Sequence, residues 1–149
     1  MSVFSTRGAT EKDIPAMLSI ANACFSDPWS ESAFVSTLSH ATLIELDGKA
    51  LGYSVLAQLA DEAELYDIAV LPEYQGTGAA KQLFDYALSR LTGDVSTLYL
   101  EVRESNTRAR GFYAKLGFEQ IGVRKNYYDN PKENAILMSL DLKRNERQK

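Results

Sequence analysis

The chain has 149 residues, of which 45% are hydrophobic, so it can bury the core of one domain without a metal ion or a disulfide. Its one histidine and one cysteine can neither form an internal disulfide nor supply the ligands of a usual zinc site, which fits a reducing compartment. The net charge is −4, although residues 142–149 carry four cations against one acid. The rest of the chain is therefore strongly acidic, which argues against nucleic acid as the main ligand.

Residues 1–142 are predicted to form a single domain and residues 143–149 a flexible basic tail. The start of the chain has no apolar leader segment, and no stretch contains eighteen consecutive apolar residues. We therefore expect a cytoplasmic protein that does not enter a membrane.

The first third of the chain predicts one strand and two helices. Residues 3–9 alternate weakly and predict the strand. Thr10 and Asp13 have the spacing of a capping box, which predicts a helix that begins there and presents an apolar face as far as Phe25. Ser30 is a cap for a second, short helix that ends near Ser39.

Two residues of this region invite a chemical role. Cys24 lies on the apolar face of the first helix, and no basic group is placed to lower its pKa, so we interpret it as a core residue rather than a nucleophile. Trp29 lies in the loop between the helices and is either an anchor in the core or a wall of a substrate site.

The middle of the chain predicts an antiparallel meander. Asp47-Gly48 is typical of a two-residue hairpin turn and joins predicted strands at residues 42–46 and 50–59. A turn at residues 60–62 leads into a fourth strand at residues 63–70.

Residues 65–91 are the central segment of the chain, and their pattern predicts a strand, a glycine turn and a helix. The first amides of a helix lack intrahelical partners and carry the positive end of its dipole, so a helix opened by Gly76 and Gly78 predicts an anion site. A P-loop needs Lys-Ser/Thr after Gly78, and this chain lacks that pair. A dinucleotide fingerprint needs a third glycine, and Lys81 stands at that position, so the match to this motif is weak. A pyrophosphate bound by backbone amides, without a metal, satisfies the pattern.

The last third predicts three strands and one helix. Residues 97–103 form a fifth strand that returns after a helix and so runs parallel to the fourth. Ser105 or Asn106 caps the next helix, and Gly117 ends it. A sixth strand at residues 118–123, a polar and aromatic loop at 124–133 and a seventh strand at 135–142 follow.

The turn and its neighbours resemble the GNAT N-acetyltransferases. The run from Gln75 to Ala80 fits their acyl-CoA loop, Q/R-x-x-G-x-G/A. The resemblance extends over nearly the whole chain and is nearest to the RimI-type ribosomal-protein alanine N-acetyltransferases. It rests on Pro28-Trp29-Ser30, LYDIAVLPEYQ, LEVRESN, FYAKLGF and Asn126-Tyr127-Tyr128.

The resemblance implies an α/β fold of the α+β type: a mixed seven-stranded sheet, about four helices, and strands four and five that splay apart to admit the pantetheine arm of acetyl-CoA. It also implies the residues that bind the cofactor and the substrate. The cofactor would contact Ile68, Ala69, Val70, Gln75, Gly76, Thr77, Gly78, Ala79, Ala80, Lys81 and Asn106. The substrate would contact Trp29, Asn126, Tyr127, Tyr128 and Asp129.

By the same resemblance, Glu101 is the general base and Tyr113 the general acid. A glutamate can take the proton of an amine, and a phenol with a pKa near 10 can protonate a leaving thiolate. Spacing alone favours a solvent-facing strand residue for Glu101 and a core residue for Tyr113, and the resemblance reverses the interpretation of Glu101. The presence of both Glu101 and Tyr113 favours an enzyme over a module that only senses acyl-CoA.

The sequence therefore predicts transfer of an acetyl group from acetyl-CoA to a protein N-terminus, by resemblance the N-terminal alanine of a small-subunit ribosomal protein. The alternatives are a GNAT enzyme that acetylates lysine, a polyamine or other N-termini, and a non-catalytic acyl-CoA-binding module. We expect a monomer or a weak dimer that binds no nucleic acid directly.

Overall fold

The structure is a computed structural model and describes residues 3–129 and 131–143. The described residues form seven strands: β1 (Ser5–Gly8), β2 (Ala41–Leu46), β3 (Lys49–Leu59), β4 (Glu62–Val70), β5 (Thr97–Arg103), β6 (Glu119–Tyr128) and β7 (Glu133–Asp141). They also form four α-helices: α1 (Ile14–Cys24), α2 (Glu31–Thr37), α3 (Ala79–Ser89) and α4 (Thr107–Leu116). None of these helices is long and apolar enough to cross a membrane. Most of the predicted basic tail, from Arg144 onward, lies outside the described residues.

The strands follow the order β1-β2-β3-β4-β5-β7-β6 in one mixed sheet. β4 and β5 are parallel, with Glu62 opposite Thr97 and Leu65 opposite Leu100, whereas β5 and β6 are each antiparallel to β7. The predicted seven-stranded mixed sheet with about four helices is confirmed. By its internal contacts the chain divides into two compact units, and the single-domain interpretation stays a prediction.

The first unit extends up to Leu56 and includes Tyr66–Leu91. Its larger core cluster joins the buried face of α1 to Phe34 of α2 and Tyr53 of β3, both of which are fully buried. The predicted capping residues hold the chain just before α1, where the Thr10 amide donates to Asp13 Oδ2 over 2.7 Å. Pro15 follows in the first turn of α1, where its missing N–H costs nothing.

A glycine in β3 lets this strand pass close to the end of β4. A Cβ atom on Gly52 would lie 2.6 Å from the Ala69 carbonyl oxygen and 2.9 Å from a methyl group of Val70. Such contacts are too short for any side chain, so only glycine fits here. α3 packs beside this region through Ala79 and Leu83.

The second unit comprises Ala57–Leu65 and the chain from Thr92 onward. β5 alternates as predicted: Leu98, Leu100 and Val102 are buried, and the residues between them lie on the opposite, partly exposed face. The Asn106 side chain accepts a hydrogen bond from the Ala109 amide over 3.1 Å and so caps α4.

The prediction of a loop at residues 124–133 is wrong for its first half. β6 continues to Tyr128, with Arg124 opposite Ala135 and Tyr128 opposite Glu133. A bulge lies between these two pairs, where Asn126 takes a positive φ of 53° that asparagine tolerates better than most residues. Polar residues line both faces of this edge strand, so the sequence lacks the alternation that marks a half-buried strand.

Candidate active site

The glycine turn of the first unit has the backbone that an anion site requires. Gly76 and Gly78 adopt φ values of 81° and 90°, and a Cβ atom on either would meet nothing within 4 Å. The space beside both residues is therefore open, and any other residue would be strained there. The Thr77 hydroxyl donates to the Tyr74 carbonyl and accepts the Ala79 amide over 3.4 Å, which holds the turn against the start of α3. This arrangement fits a pyrophosphate group.

Two side chains predicted to bind the cofactor form contacts within the protein. Gln75 Nε2 donates to the Val70 carbonyl over 3.1 Å, which ties the turn to the end of β4. The same carbonyl accepts a hydrogen bond from Cys24 Sγ over 3.3 Å. Lys81 is exposed and forms an ion pair with Asp85 at 2.7 Å, so Asp85 offsets its charge.

Trp29 and Cys24 both pack on the core of the first unit. The Trp29 ring lies 5.4 Å from the ring of Phe34 and remains partly exposed. This packing supports the interpretation of Trp29 as an anchor in the core. Its role as a wall of a substrate site stays a prediction. Burial raises the pKa of the Cys24 thiol, and the charges of Asp67 and Glu73 raise it further. A thiol with a raised pKa is a poor nucleophile, in agreement with its interpretation as a core residue.

Asp67 is a titratable group of the first unit that the sequence analysis did not single out. The Tyr53 hydroxyl donates to Asp67 Oδ2 over 2.7 Å. Burial raises the pKa of Asp67 to about 6, although hydrogen bonds from Tyr53 and from the backbone of Ile68 act in the opposite direction. The position of Asp67 within the apolar run of β4 is the sequence feature that indicates a buried carboxylate.

Glu101 opens into a cavity of about 190 Å³ in the second unit, which we call the Glu101 pocket. Its side chain is 23% exposed, and its Oε1 atom lies 3.3 Å from Arg124 Nη2. The pKa of Tyr127 is raised by the charge of Glu101 and by a hydrogen bond between the two side chains. The remaining wall is mainly apolar and includes Leu100, Ile121, Leu137 and Met138.

Glu64 and Arg124 also line the Glu101 pocket, and the sequence analysis missed both. Burial raises the pKa of Glu64, the charge of Glu101 raises it further, and Arg124 lowers it. The predicted parallel pairing of β4 with β5 was a signal for Glu64, which lies opposite Tyr99. Arg124 gave no such signal because its segment was interpreted as a loop.

Tyr113 is the buried residue of α4, with 8% of its surface exposed. Its ring lies 5.7 Å from those of Phe112 and Phe118, as the core interpretation requires. Its role as general acid stays a prediction. Asn106, predicted to contact the cofactor, caps the same helix through its side-chain oxygen.

The four predicted substrate residues at the end of β6 differ in their surroundings. Tyr127 is exposed, and its ring centre lies 5.0 Å from the guanidinium carbon of Arg124 in the wall of the Glu101 pocket. Tyr128 lies under Arg103, whose guanidinium carbon is 4.4 Å from the ring centre. Arg103 also donates to the carbonyl of Asp129 over 2.9 Å. The Asn126 amide donates to a side chain of β7. Of these residues, Tyr127 has the charge of Glu101 as the largest cause of its raised pKa.

Comparisons with known proteins give a consistent result. A sequence model described as the acetyltransferase (GNAT) family matches residues 14–118. The ribosomal protein bS18-alanine N-acetyltransferase of Escherichia coli strain K12 is 36% identical over 136 residues, which cover 87% of this chain and 92% of that protein. The protein of the same name from Haemophilus ducreyi is 37% identical over 140 residues, covering 89% and 96%. The crystal structure of the ribosomal-protein-S18-alanine N-acetyltransferase from Escherichia coli matches with a TM-score of 0.83 and 33% identity, covering 93% of this chain and 94% of that one.

Proposed function

This chain belongs to the GNAT acetyltransferase family, and we propose that within it the protein acetylates the N-terminal alanine of a small-subunit ribosomal protein. It is an N-acetyltransferase that uses acetyl-CoA. The observation that carries the target is similarity along nearly the full length of relatives named for that reaction, at 36% and 37% identity. A ribosomal target also supports the expected cytoplasmic location.

The first unit contains most of the residues proposed to hold acetyl-CoA. The turn at Gly76 and Gly78 and the first amides of α3 would bind the pyrophosphate, because their backbone is open and the helix dipole favours negative charge there. The last residues of β4, Ile68 to Val70, would contact the pantetheine arm through their backbone. When bound, acetyl-CoA supplies the acetyl group as a thioester.

Glu101 is proposed to take a proton from the substrate amine, directly or through one water. A protein α-amino group has a pKa of about 7.7–8.0, so roughly a tenth of it is neutral at pH 7 and the base has to supply only about 1.4 kcal/mol. A carboxylate at the wall of a partly apolar pocket meets this small demand. Its ion pair with Arg124, over 3.3 Å, fixes the position of the carboxylate at the pocket wall.

Tyr113 is proposed to protonate the thiolate that leaves when the amide forms. A phenol has a pKa close enough to that of a thiol for the transfer to be nearly balanced. Trp29 and the segment from Asn126 to Asp129 are proposed to contact the substrate peptide. Among these, Tyr127 has the most direct support, because it contacts Arg124 of the Glu101 pocket and the charge of Glu101 raises its pKa.

The test is acetyl transfer to a matched panel of amines. Purified protein and acetyl-CoA are incubated with an alanine-initiated peptide from the N-terminus of ribosomal protein bS18, its copy with a blocked N-terminus and an internal lysine, and a polyamine. Mass spectrometry then locates each added acetyl group. We expect acetylation of the free N-terminal peptide alone.

Each other outcome identifies one of the alternatives. Acetyl groups found only on the lysine or the polyamine would overturn the N-terminal target while retaining the enzyme class. Absence of product from every amine, with binding of CoA preserved in calorimetry, would favour a binding module over an enzyme.

A further inference from the structure

The Glu101 pocket contains two carboxylates, and the proposed chemistry uses only one of them. Glu64 reaches it from β4, since the parallel register sets Glu64 opposite Tyr99, two residues before Glu101 on β5. Side chains two apart on a strand lie on the same face of the sheet. Glu64 and Glu101 are therefore close neighbours on one face of the second unit.

The charges lining this pocket do not cancel. Glu64 and Glu101 are acidic and Arg124 is basic, so the lining carries one net negative charge. Arg124 forms its ion pair with Glu101, whose Oε1 atom lies 3.3 Å from Arg124 Nη2. The net charge of the pocket thus corresponds to the carboxylate of Glu64.

The mutual repulsion of the two carboxylates is visible in the pKa of Glu64. It is raised by burial and by the charge of Glu101, and Arg124 offsets only part of this. A cation that enters the pocket relieves such repulsion and gains affinity from it. The cavity of about 190 Å³ is several times the ~30 Å³ that one water occupies in the liquid, so it has room for an amine group and a short side chain.

We propose that Glu64 is the counter-ion of the substrate's α-ammonium group and so a specificity-determining residue for cationic amines. This inference rests on the proposed function. The amine enters as R–NH₃⁺ beside Glu64 and passes one proton to the Glu101 carboxylate. The neutral R–NH₂ remains to attack the acetyl group. Arg124 positions Glu101, and the apolar wall restricts the size of the first side chain.

The test compares Glu64→Gln with the wild-type protein in steady-state acetylation of the alanine-initiated peptide at saturating acetyl-CoA. We expect the KM for the peptide to rise about fivefold to tenfold at pH 6.5, with kcat changed less than about twofold. The ratio of the KM of Glu64→Gln to that of the wild type should approach one at pH 9. The amine, with a pKa of about 7.7–8.0, is then mostly neutral and has no charge for Glu64 to recognise. Glu64→Asp should restore part of the lost affinity.

Glu62→Gln is the matched control. It makes the same change of charge two residues earlier on β4, where Glu62 accepts a hydrogen bond from Tyr99 over 3.3 Å and does not line the pocket. We expect its KM to stay near that of the wild type. The midpoint of thermal unfolding and the affinity for CoA, measured for all variants, separate loss of recognition from loss of fold.

Four outcomes would overturn the inference. They are an unchanged KM in Glu64→Gln, a KM defect that is constant from pH 6.5 to 9, an equal defect in Glu62→Gln, and a fall in kcat with KM unchanged, which would make Glu64 a proton acceptor instead. An active wild type with any of these results leaves the proposed function intact. A wild type that acetylates no peptide overturns the proposed function and this inference together.

Discussion

Replacing Asp67 by asparagine should stabilise the protein at neutral pH, although it removes a charge that accepts a hydrogen bond. Burial raises the pKa of Asp67 from 3.8 to about 6, so the ionised carboxylate is unfavourable in the folded state. Asparagine is neutral at every pH and has nearly the same shape. Its side-chain oxygen can still accept the hydroxyl of Tyr53, which lies 2.7 Å from Asp67 Oδ2.

The size of the effect follows from the difference between the two pKa values. A carboxyl group with a higher pKa in the folded state binds its proton more tightly there, so its contribution to stability is complete below about pH 4 and is lost as the pH rises through about 6. The shift in Asp67 is about two pKa units, and each unit corresponds to about 1.4 kcal/mol. Deprotonation therefore costs about 3 kcal/mol, which corresponds to roughly 5–10 °C in Tm for a chain of this size.

The assay is urea denaturation of both proteins at pH 4, 5, 6, 7 and 8. Asp67→Asn should match the wild type at pH 4 and exceed it by about 2–3 kcal/mol at pH 8, because only the wild type pays the cost of deprotonation. Tyr53→Phe is the control, and it should weaken the protein at pH 8 more than at pH 4 because it removes a donor to the charged carboxylate. A stability difference between Asp67→Asn and wild type that is the same at pH 4 and pH 8 would refute the reasoning.

Four further substitutions test the site and the fold. Glu101→Gln should lower kcat about tenfold at pH 7, the ~1.4 kcal/mol asked of the base, and recover towards pH 9 as the amine deprotonates by itself, whereas a deficit independent of pH would contradict the base role. Tyr113→Phe should slow turnover at least about tenfold with CoA affinity in calorimetry nearly unchanged, and an unchanged rate would exclude it as the acid. Gly52→Ala should cost about 1–3 kcal/mol in urea denaturation, because its Cβ would lie 2.6 Å from the Ala69 carbonyl. Gly111→Ala, where a Cβ meets nothing within 4 Å inside α4, should instead gain up to about 1 kcal/mol.

Local turn chemistry made much of the fold predictable. Asp47 and Gly48 predict a tight hairpin, and both take the positive φ values, 52° and 79°, that such a turn demands. Asn106 and Gly117 likewise mark the two ends of α4. β6 was predicted too short because its second half depends on pairing with β7 through a bulge. Such pairing is decided by the partner strand that follows and by the bulge, not by the residue pattern of β6 itself.

The candidate site was predictable where one element decides a residue's position. The alternation of β5 alone puts Glu101 on the face opposite Leu100 and Val102, as the structure has it. Arg124 meets Glu101 only because β7 lies between their strands, and that neighbourhood follows from the topology of the whole sheet. Sequence patterning alone could not provide it.

The arrangement of charges in the Glu101 pocket separates recognition of the amine from its activation. A pocket with Glu101 and Arg124 alone would be neutral and would offer an ammonium group little attraction. Glu64 supplies that attraction, and it acts on the cation, which is the form of the amine that cannot attack. Once Glu101 holds the proton, the neutral amine stays beside Glu64, and positive charge develops again on its nitrogen as it attacks the acetyl group. An interaction made equally with the bound cation and with the transition state lowers KM without raising kcat. Glu64 and Glu101 should therefore differ in which kinetic constant they control, although they share one pocket and one chemical type.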